Sequence, residues 1–280
     1  MTAAERFAQA RPRLLRLAYS ELGDLGEAED VVQEAWLRLE RVDAETIENL
    51  DGWLTTVVAR LALDRLRSAR ARREMYVGPW LPEPVVSEDP ADRVTLDESV
   101  SYALLTVLEQ LSPAERTAFV LHEVFDVPFG DVAEVVGRTP EAVRQLASRA
   151  RRHVQRERPR FAASRDEHDR AVRAFAQAVT EGDLGDLVAV LDPDVVWTSD
   201  GGGHATAARK PLFGSSRVAR AWAALSRKSA QEPIETELNG RLGLVLPSGD
   251  GQRAALLFVV SDGRITRIDA IRNPEKLRRI

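Results

Sequence analysis

A proline-rich stretch in the first third of the chain sets the strongest limit on the fold. Residues 74–90 read EMYVGPWLPEPVVSEDP and contain four prolines and one glycine. Proline removes a backbone donor and clashes with the preceding turn, so no helix continues through this stretch. Apolar residues recur at spacings of three and four before it and resume near residue 91. The pattern predicts separate helical domains joined by an extended linker at residues 74–94.

Charge is distributed in blocks that the net value of −5 conceals. Residues 60–73 carry six arginines against one acid, and residues 138–160 carry eight arginines against two acids. The residues between the two blocks are strongly acidic. Two basic clusters separated by an acidic stretch favour two DNA-contacting modules with a tether.

The second basic cluster follows a helix-turn-helix pattern. A short helix at 130–136 ends at Gly137, and Thr139 then caps a new helix with Pro140 in its first turn. Capping, turn and arginine content agree, which indicates a DNA-binding helix pair within a domain at residues 95–160.

From residue 166 the pattern changes. Two helices are followed by strand-like runs such as DVVWTSD, RLGLVLPSG and RAALLFVVSDG, separated by glycine-containing turns. This order predicts an α+β domain with a curved antiparallel sheet at residues 166–280.

Several function classes are excluded or disfavoured. The chain has no cysteine, and its four histidines show no metal-ligand spacing, so neither a metal nor a cofactor is expected. No apolar run approaches the roughly 20 residues of a membrane span, and the N-terminus does not read as a secretory signal. We therefore expect a cytoplasmic protein without a membrane partner.

Two motifs point to a family. DVVQEAWLRL with DGWLTTVVARLALDRLRSARARR resembles the second domain of extracytoplasmic-function (ECF) sigma factors, and LEQLSPAERTAFVLHEVFDVPFGDVAEVVGRTPEAVRQLASRAR resembles their fourth domain. The resemblance implies that residues 1–73 and 95–160 form two all-α domains. It also implies core RNA polymerase and promoter DNA as partners, and a role in directing transcription initiation rather than an enzymatic activity.

The C-terminal part resembles a SnoaL-like domain, a cone-shaped α+β fold found in one subgroup of these sigma factors. That subgroup has a WLPEP linker motif, a DGGGK motif and an NPDKL-type motif. The chain has WLPEP at 80–84, DGGGH at 200–204 and NPEKL at 273–277, so that His204 replaces the usual lysine. Histidine is mostly neutral at cytoplasmic pH, which puts in doubt any role needing a permanent charge there.

The resemblance assigns three binding surfaces in the helical domains. The surface for core polymerase comprises Asp30, Gln33, Glu34, Trp36 and Leu37. The surface for the minus-ten element comprises Asn49, Arg60, Arg65, Arg67 and Arg70. The surface for the minus-thirty-five element comprises Arg144, Gln145, Ser148, Arg149 and Arg152. Arginine pairs bidentately with guanine and glutamine with adenine, which suits the last set to the major groove.

A fourth surface is expected between the linker and the C-terminal domain, where it would regulate the sigma factor within one chain. Its predicted members are Trp80, Leu81, Pro82, Glu83, Pro84, Asp200, Gly201, Gly202, Gly203, His204, Asn273, Pro274 and Lys276. An unknown small ligand is a further candidate partner for the cone.

Two alternatives remain open at this stage. The first is a ligand-responsive helix-turn-helix regulator that never binds polymerase. The second is a DNA-binding module fused to an isomerase- or hydrolase-like enzyme, with Asp192, Asp194, Asp200 and His204 as candidate acids and bases. No spacing among these four residues fixes a catalytic pair.

Overall fold

The computed structural model describes residues 2–73, 76–86, 101–157, 163–226, 232–247 and 253–280, without the side chains of residues 69–73, 225 and 226. The chain divides into a helical unit, Met1–Glu74 with Asp89–Arg158, and a C-terminal unit, Met75–Glu88 with Pro159–Ile280. Residues 75–88 of the predicted linker thus belong to the C-terminal unit.

The helical unit begins with α1 (Ala3–Leu22), α2 (Leu25–Leu39) and α3 (Leu50–Arg73). Thr2 and Asp24 cap α1 and α2 by accepting hydrogen bonds from backbone N–H groups in the first turn. The apolar residues of α2 that recur at spacings of three and four form its buried side, and each is at most 2% exposed: Ala28, Val31, Val32, Ala35 and Leu39.

Only one of the two apolar rows of α3 is fully buried. Trp53, Val57 and Leu61 are only half-buried. The fully buried row is Leu50, Leu54, Val58, Ala62 and Leu66. Because α3 carries apolar residues on two adjacent rows, periodicity does not decide which row faces the core.

The helical unit continues with α4 (Tyr102–Leu108), α5 (Pro113–Phe119), α6 (Phe129–Val136) and α7 (Pro140–Glu157). A π-helical turn, Val120–Val124, extends α5. Gly137 adopts the left-handed conformation at φ 71° and ends α6, and Thr139 Oγ1 accepts from Ala142 N at 3.3 Å. The helix-turn-helix is therefore formed as predicted, and α3 packs against α5 and α6.

The C-terminal unit has three helices beside one sheet. The helices are α8 (Arg165–Glu181), α9 (Leu184–Val190) and α10 (Ser215–Ser226). The strands are β1 (Leu191–Asp200), β2 (Leu212–Phe213), β3 (Ile234–Leu238), β4 (Arg241–Pro247), β5 (Arg253–Ser261) and β6 (Arg264–Ile271). The two-residue strand β2 was not predicted from sequence, since so short a run has no visible alternation.

The sheet has the strand order β2-β1-β6-β5-β4-β3. Neighbours are antiparallel except β1 and β6, which run parallel with Thr198 opposite Asp269. Aromatic rings fill the space between helices and sheet, where Phe175 meets Trp222 and Phe258 edge-on and Trp197 stacks on Trp222 at 5.2 Å. The α+β expectation is confirmed, with the parallel pair as an addition.

Candidate functional site

The predicted polymerase surface forms one side of α2. Asp30, Gln33 and Leu37 are exposed, and Leu37 leaves 38% of its surface to solvent. Glu34 pairs with Arg38 at 3.0 Å, and the half-buried Trp36 ring lies 4.9 Å from the Phe7 ring. The α2 surface is therefore acidic and apolar at once, which suits a basic protein partner.

The predicted minus-ten residues lie along α3. Asn49 precedes the helix and accepts the Gly52 N–H at 3.0 Å. Arg60 donates to the Glu134 carbonyl oxygen at 3.2 Å, and Arg65 pairs with Asp30 at 3.1 Å. Arg67 pairs with Asp64 at 3.3 Å, while the Arg70 side chain lies outside the described residues. Several arginines of this row are thus engaged by carboxylates or carbonyls of the same unit.

Helix α7 presents the predicted minus-thirty-five residues together on its outer side. All five are exposed: Arg144, Gln145, Ser148, Arg149 and Arg152. The opposite side is buried through Val143, Leu146, Ala147, Ala150 and Val154. Arg149 pairs with Glu115 at 2.8 Å. Burial alone would raise the pKa of Glu115, but the Arg149 contact and the hydrogen bonds from Ser112 together outweigh burial and lower the pKa. The five predicted residues therefore share the exposed side of α7.

A buried polar seam joins α1 to α5 inside the helical unit and was not predicted. Arg116 is 1% exposed, donates to the Ser20 carbonyl oxygen at 3.1 and 3.3 Å, and pairs with Glu109. Thr117 Oγ1 donates to Glu21 Oε2 at 3.0 Å. Burial raises the pKa of Glu21 to about 7, although Arg116 and Thr117 oppose the rise. No local pattern signals such a seam, because its members lie about a hundred residues apart.

In the C-terminal unit, four donors converge on the carboxylate of Asp200, which is fully buried at the end of β1. Tyr76 Oη donates at 2.6 Å, Leu81 N at 3.0 Å, Gly202 N at 3.0 Å and Lys276 Nζ at 2.7 Å. Both carboxylate oxygens are thereby satisfied. We call these residues, with Trp80 and Asn273, the Asp200 junction.

Lys276 completes the junction from the other end of the unit's sequence. Lys276 is 5% exposed, and its ammonium group lies 3.9 Å from the Trp80 ring centre and 5.4 Å from that of Tyr76. It also donates to the Leu81 carbonyl oxygen. An ion pair, a carbonyl and two aromatic faces together replace the water that a buried ammonium group loses.

Asn273 links the same elements. Its side chain donates to Tyr76 Oη at 2.9 Å and accepts from Glu275 N at 3.0 Å. Hydrogen bonding and the charge of Asp200 add to burial in raising the pKa of Tyr76. The sequence did not single out Tyr76 as a member of this surface, although it is half-buried and central to the junction.

The glycine run beside Asp200 is required for close packing. A Cβ on Gly201 would approach the Ala205 carbonyl oxygen to 2.3 Å, and one on Gly202, at φ 62°, would lie 2.5 Å from the Asn273 side chain. Gly203 faces Val77 of the linker. His204 follows in the turn with an exposed side chain, so the departure from lysine falls at the edge of the junction.

The remaining WLPEP residues are buried on the C-terminal domain. Leu81, Pro82, Glu83 and Pro84 are all buried. Beyond them, Val85 exchanges backbone and side-chain hydrogen bonds with Asn239 at 2.8 and 3.0 Å. The structure therefore brings together the three motifs quoted from sequence, with Pro274 opening the final 3-10 turn, Pro274–Leu277.

The candidate acids and bases do not form a catalytic group. Asp192 Oδ1 accepts from Asp194 N at 2.8 Å, so the pair makes a turn. Asp194 and Asp200 are separated by about 20 Å along β1 at strand spacing, and His204 faces solvent. A cavity lined by Leu184, Leu187 and Trp222 measures about 10 Å³, about the room of one water molecule. The small ligand stays a prediction.

Within the described ranges, no cluster of three or more His, Asp or Glu side chains is arranged to hold a metal ion. In those same ranges, no helix combines the length and apolarity needed to cross a membrane.

Comparison with known proteins agrees with this organisation. The family model for Sigma-70 region 2 matches residues 7–72, and that for Sigma-70 region 4 matches residues 101–154. These two regions place the chain among proteins of the sigma-70 class. The chain belongs to the ECF RNA polymerase sigma factors.

The relatives extend over the C-terminal domain as well. The ECF RNA polymerase sigma factor SigJ of Mycobacterium tuberculosis is 41% identical over 286 residues, covering 96% of this chain and 91% of SigJ. The probable ECF sigma factor SigI of the same organism is 38% identical, covering 95% of this chain and 92% of SigI. The crystal structure of SigJ matches with a TM-score of 0.82 at 38% identity, over 99% of this chain and 98% of that one.

Family membership fixes the general function. The protein is an alternative sigma factor that works with RNA polymerase and promoter DNA in transcription initiation, and it is not itself an enzyme. The α+β domain is SnoaL-like, as the match to the SigJ structure shows. The two alternatives weighed from sequence are therefore set aside.

Proposed function

We propose that this sigma factor is regulated within its own chain by the Asp200 junction, which holds the linker between regions 2 and 4 on the C-terminal domain. The observation that carries the proposal is the burial of Asp200 and Lys276 against Tyr76, Trp80 and Leu81. A buried carboxylate with all its acceptor sites used does not release its partners easily, since each lost donor leaves an unsatisfied charge.

Holding the linker matters because it is the tether between the two promoter-binding regions. A free tether lets the two regions take any separation that its length allows, whereas a segment packed on a folded domain carries that domain with it. The C-terminal domain would thereby bias which promoters can be reached. This role replaces a separate anti-sigma protein.

We assign the three helical surfaces as the family resemblance predicts. Helix α2 offers Asp30, Gln33, Glu34, Trp36 and Leu37 to polymerase. Asn49 with Arg60, Arg65, Arg67 and Arg70 contacts the minus-ten element, and α7 enters the major groove of the minus-thirty-five element. The exposed polar side and buried apolar side of α7 support the last assignment. Because these partners are in the cytoplasm, we place the protein there.

Run-off transcription with core polymerase tests the regulatory proposal in the full chain. Trp80→Ala removes the ring beneath Lys276 and should change transcript yield several-fold across a promoter library. Phe213→Ala removes an equally aromatic side chain, 58% exposed on β2, and serves as the control. Equal yields from the parent and both variants would refute the regulatory role.

Salt-dependent promoter binding tests the α7 assignment. If Arg149 contacts a phosphate, Arg149→Ala reduces the log–log salt slope of promoter binding by about 1. Arg173→Ala, which removes an exposed arginine from α8, should leave the slope unchanged. A slope that Arg149→Ala does not alter would remove Arg149 from the interface.

A further inference from the structure

The arginines of α7 are held by different groups, and this difference separates their roles. Arg149 pairs with Glu115 of α5 at 2.8 Å. Arg151 donates to both carboxylate oxygens of Glu123 in the π-helical turn, at 2.5–3.1 Å. Arg144, near the start of α7, lies over an aromatic ring. Two of these side chains are thus bound by carboxylates of neighbouring elements, and the third by an aromatic face.

The ring under Arg144 is that of Phe129, the first residue of α6. The guanidinium carbon lies 5.4 Å from the ring centre, within the range of a cation–π contact. The His122 ring of the π-helical turn stacks on the same Phe129 ring, with 3.7 Å between the ring centres and 30° between the ring planes. Three successive elements of region 4 therefore meet in one contact. We call His122, Phe129 and Arg144 the Arg144 stack.

The two rings of the Arg144 stack are held by the turn before α6. His122 Nδ1 lies 3.1 Å from the Val127 carbonyl oxygen, and Val127 N donates to the Leu121 carbonyl oxygen at 2.9 Å. His122 and Phe129 are both half-buried, whereas the Arg144 side chain is 56% exposed. The stack therefore has a fixed base and a cation that DNA can reach.

A guanidinium group that lies over a ring keeps its hydrogen-bond donors available for another partner. The contact uses the face of the planar group, whereas the N–H donors point outward in its plane. A carboxylate uses those in-plane donors, as it does on Arg149 and Arg151. These two arginines must therefore lose a partner before they bind a base edge, whereas the contact of Arg144 with Phe129 can persist.

Glu141 is a weak competitor for the donors of Arg144. Its carboxylate lies 3.4 Å from Arg144 Nη1, near the outer limit of a hydrogen bond. Its side chain is 73% exposed, so water and salt screen the pair. Guanine offers two acceptors at its major-groove edge and can displace Glu141 without disturbing the contact with Phe129.

Arg144 also lies where a recognition helix contacts bases. It is the fifth residue of α7, and the N-terminal residues of such a helix contact base edges. Arg149 lies more than one turn further along the helix, which suits contact with a phosphate group.

We infer that Arg144 selects guanine at one position of the minus-thirty-five element, and that Phe129 and His122 are positioning residues that hold its guanidinium group ready for the base. The inference rests on the proposed function, because it requires α7 to lie in the major groove. A guanidinium group held in advance loses less side-chain freedom on binding. This strengthens the contact with guanine but not with bases that lack two acceptors at this edge.

Base discrimination by the holoenzyme tests the inference. The full-length chain is assembled with core polymerase, and binding is measured to promoter duplexes that differ by single base pairs in the minus-thirty-five element. Arg144→Ala should reduce discrimination at one guanine position by about tenfold. Phe129→Leu should reduce it about threefold at the same position, whereas the conservative variant Phe129→Tyr should restore the parent value. Phe213→Leu, the same substitution at an exposed phenylalanine of the C-terminal unit, is the matched control.

A double variant separates positioning from a merely structural role. If Phe129 acts through Arg144, Phe129→Leu should have no further effect on base discrimination in the Arg144→Ala background. His122→Ala should act like Phe129→Leu, and His122→Phe, which keeps a stacking ring, should act like the parent. The positioning role is overturned if Phe129→Leu weakens binding equally to all promoter variants, or if its effect on discrimination persists in the Arg144→Ala background.

Failure of the α7 assignment would look different. If Arg144→Ala and Gln145→Ala both leave discrimination unchanged at every position, α7 does not read the element and the proposed function of α7 fails. If only Gln145→Ala changes discrimination, α7 reads the element and the inference about Arg144 alone is overturned.

Discussion

The two units each bury a carboxylate where distant parts of the chain meet, but the two carboxylates differ in how many hydrogen-bond donors they receive. Asp200 receives four donors, one of which is the Lys276 ammonium group. Glu21 receives one hydroxyl at Oε2, and its Oε1 is buried without a hydrogen-bond partner. A fully satisfied charge favours a permanent contact, whereas a partly satisfied one favours a contact that can open at modest cost. The difference suits a fixed linker in the C-terminal unit and a contact between α1 and α5 that opens more easily in the helical unit.

The largest effect should come from removing the cation at Asp200. Lys276→Met leaves the buried carboxylate without its counter-charge and should destabilise the C-terminal unit by about 3–5 kcal/mol. Denaturant unfolding followed by tryptophan fluorescence measures the loss, and Lys210→Met, at an exposed position, is the control. If Lys276→Met lowers the unfolding free energy no more than Lys210→Met does, the ion pair at Asp200 does not stabilise the Asp200 junction.

The next largest effect is the change in the stability of the helical unit with pH, which Glu21 should cause. Because its pKa in the fold, about 7, exceeds the ordinary 4.5, its stabilising contribution is full below pH 4.5 and is lost as pH rises through 7. The charged groups at the seam are Arg116 and Glu109, and Arg116 opposes the shift. At ~1.4 kcal/mol per pKa unit, the loss reaches about 3 kcal/mol.

Glu21→Gln should flatten the pH dependence of the unfolding free energy of the helical unit between pH 5 and 8. Glu40→Gln, at an exposed carboxylate, serves as the matched control and should keep the slope of the parent. A Glu21→Gln slope identical to that of the parent would mean that Glu21 does not titrate in this range.

A smaller effect tests how tightly the Asp200 junction is packed. Gly202→Ala meets both a positive φ and the Asn273 side chain, and should cost about 2 kcal/mol. Gly240 has a similar φ of 75° but open space around it. Gly240→Ala therefore measures the cost in unfolding free energy of the backbone conformation alone. Equal losses of unfolding free energy in the two variants would show that Asn273 yields and that the packing is loose.

The smallest effect is expected from Tyr76→Phe. It removes one donor of Asp200 while Leu81, Gly202 and Lys276 remain, so the loss should be about 1–2 kcal/mol. The unfolding free energy at neutral pH measures it. A loss as large as that of Lys276→Met would mean that the donors act as one unit rather than as independent contacts.

The sequence supported much of this organisation because its signals are local. Gly137, the Thr139 cap and the period of apolar positions predict α6 and α7, whereas the residues of α7 assigned to DNA came from the family resemblance. The three motifs of the Asp200 junction came from family resemblance, since no local rule joins residues 80, 200 and 276. The resemblance named the motifs but not the bonds between them.

Other features could not be predicted, for physical reasons. The row of α3 that faces the core contains Leu54 rather than Trp53, and this choice depends on where α1 and α2 lie. The seam of Glu21, Arg116 and Thr117 depends on contacts across about a hundred residues. Tyr76 gave no signal in the sequence beyond its aromatic ring. His204 was expected to belong to the surface between linker and C-terminal domain, but its side chain is exposed.

The parallel pairing of β1 and β6 places the anchorage of the linker at one edge of the sheet. Parallel neighbours end at the same edge, so Asp200 and Asn273 emerge side by side although 73 positions apart in the numbering. The tight turn at Asp262 and Gly263 lies at the opposite end of β6. A peptide tag inserted in that turn should therefore be tolerated, which offers a handle for purification or imaging that leaves the linker's anchorage untouched.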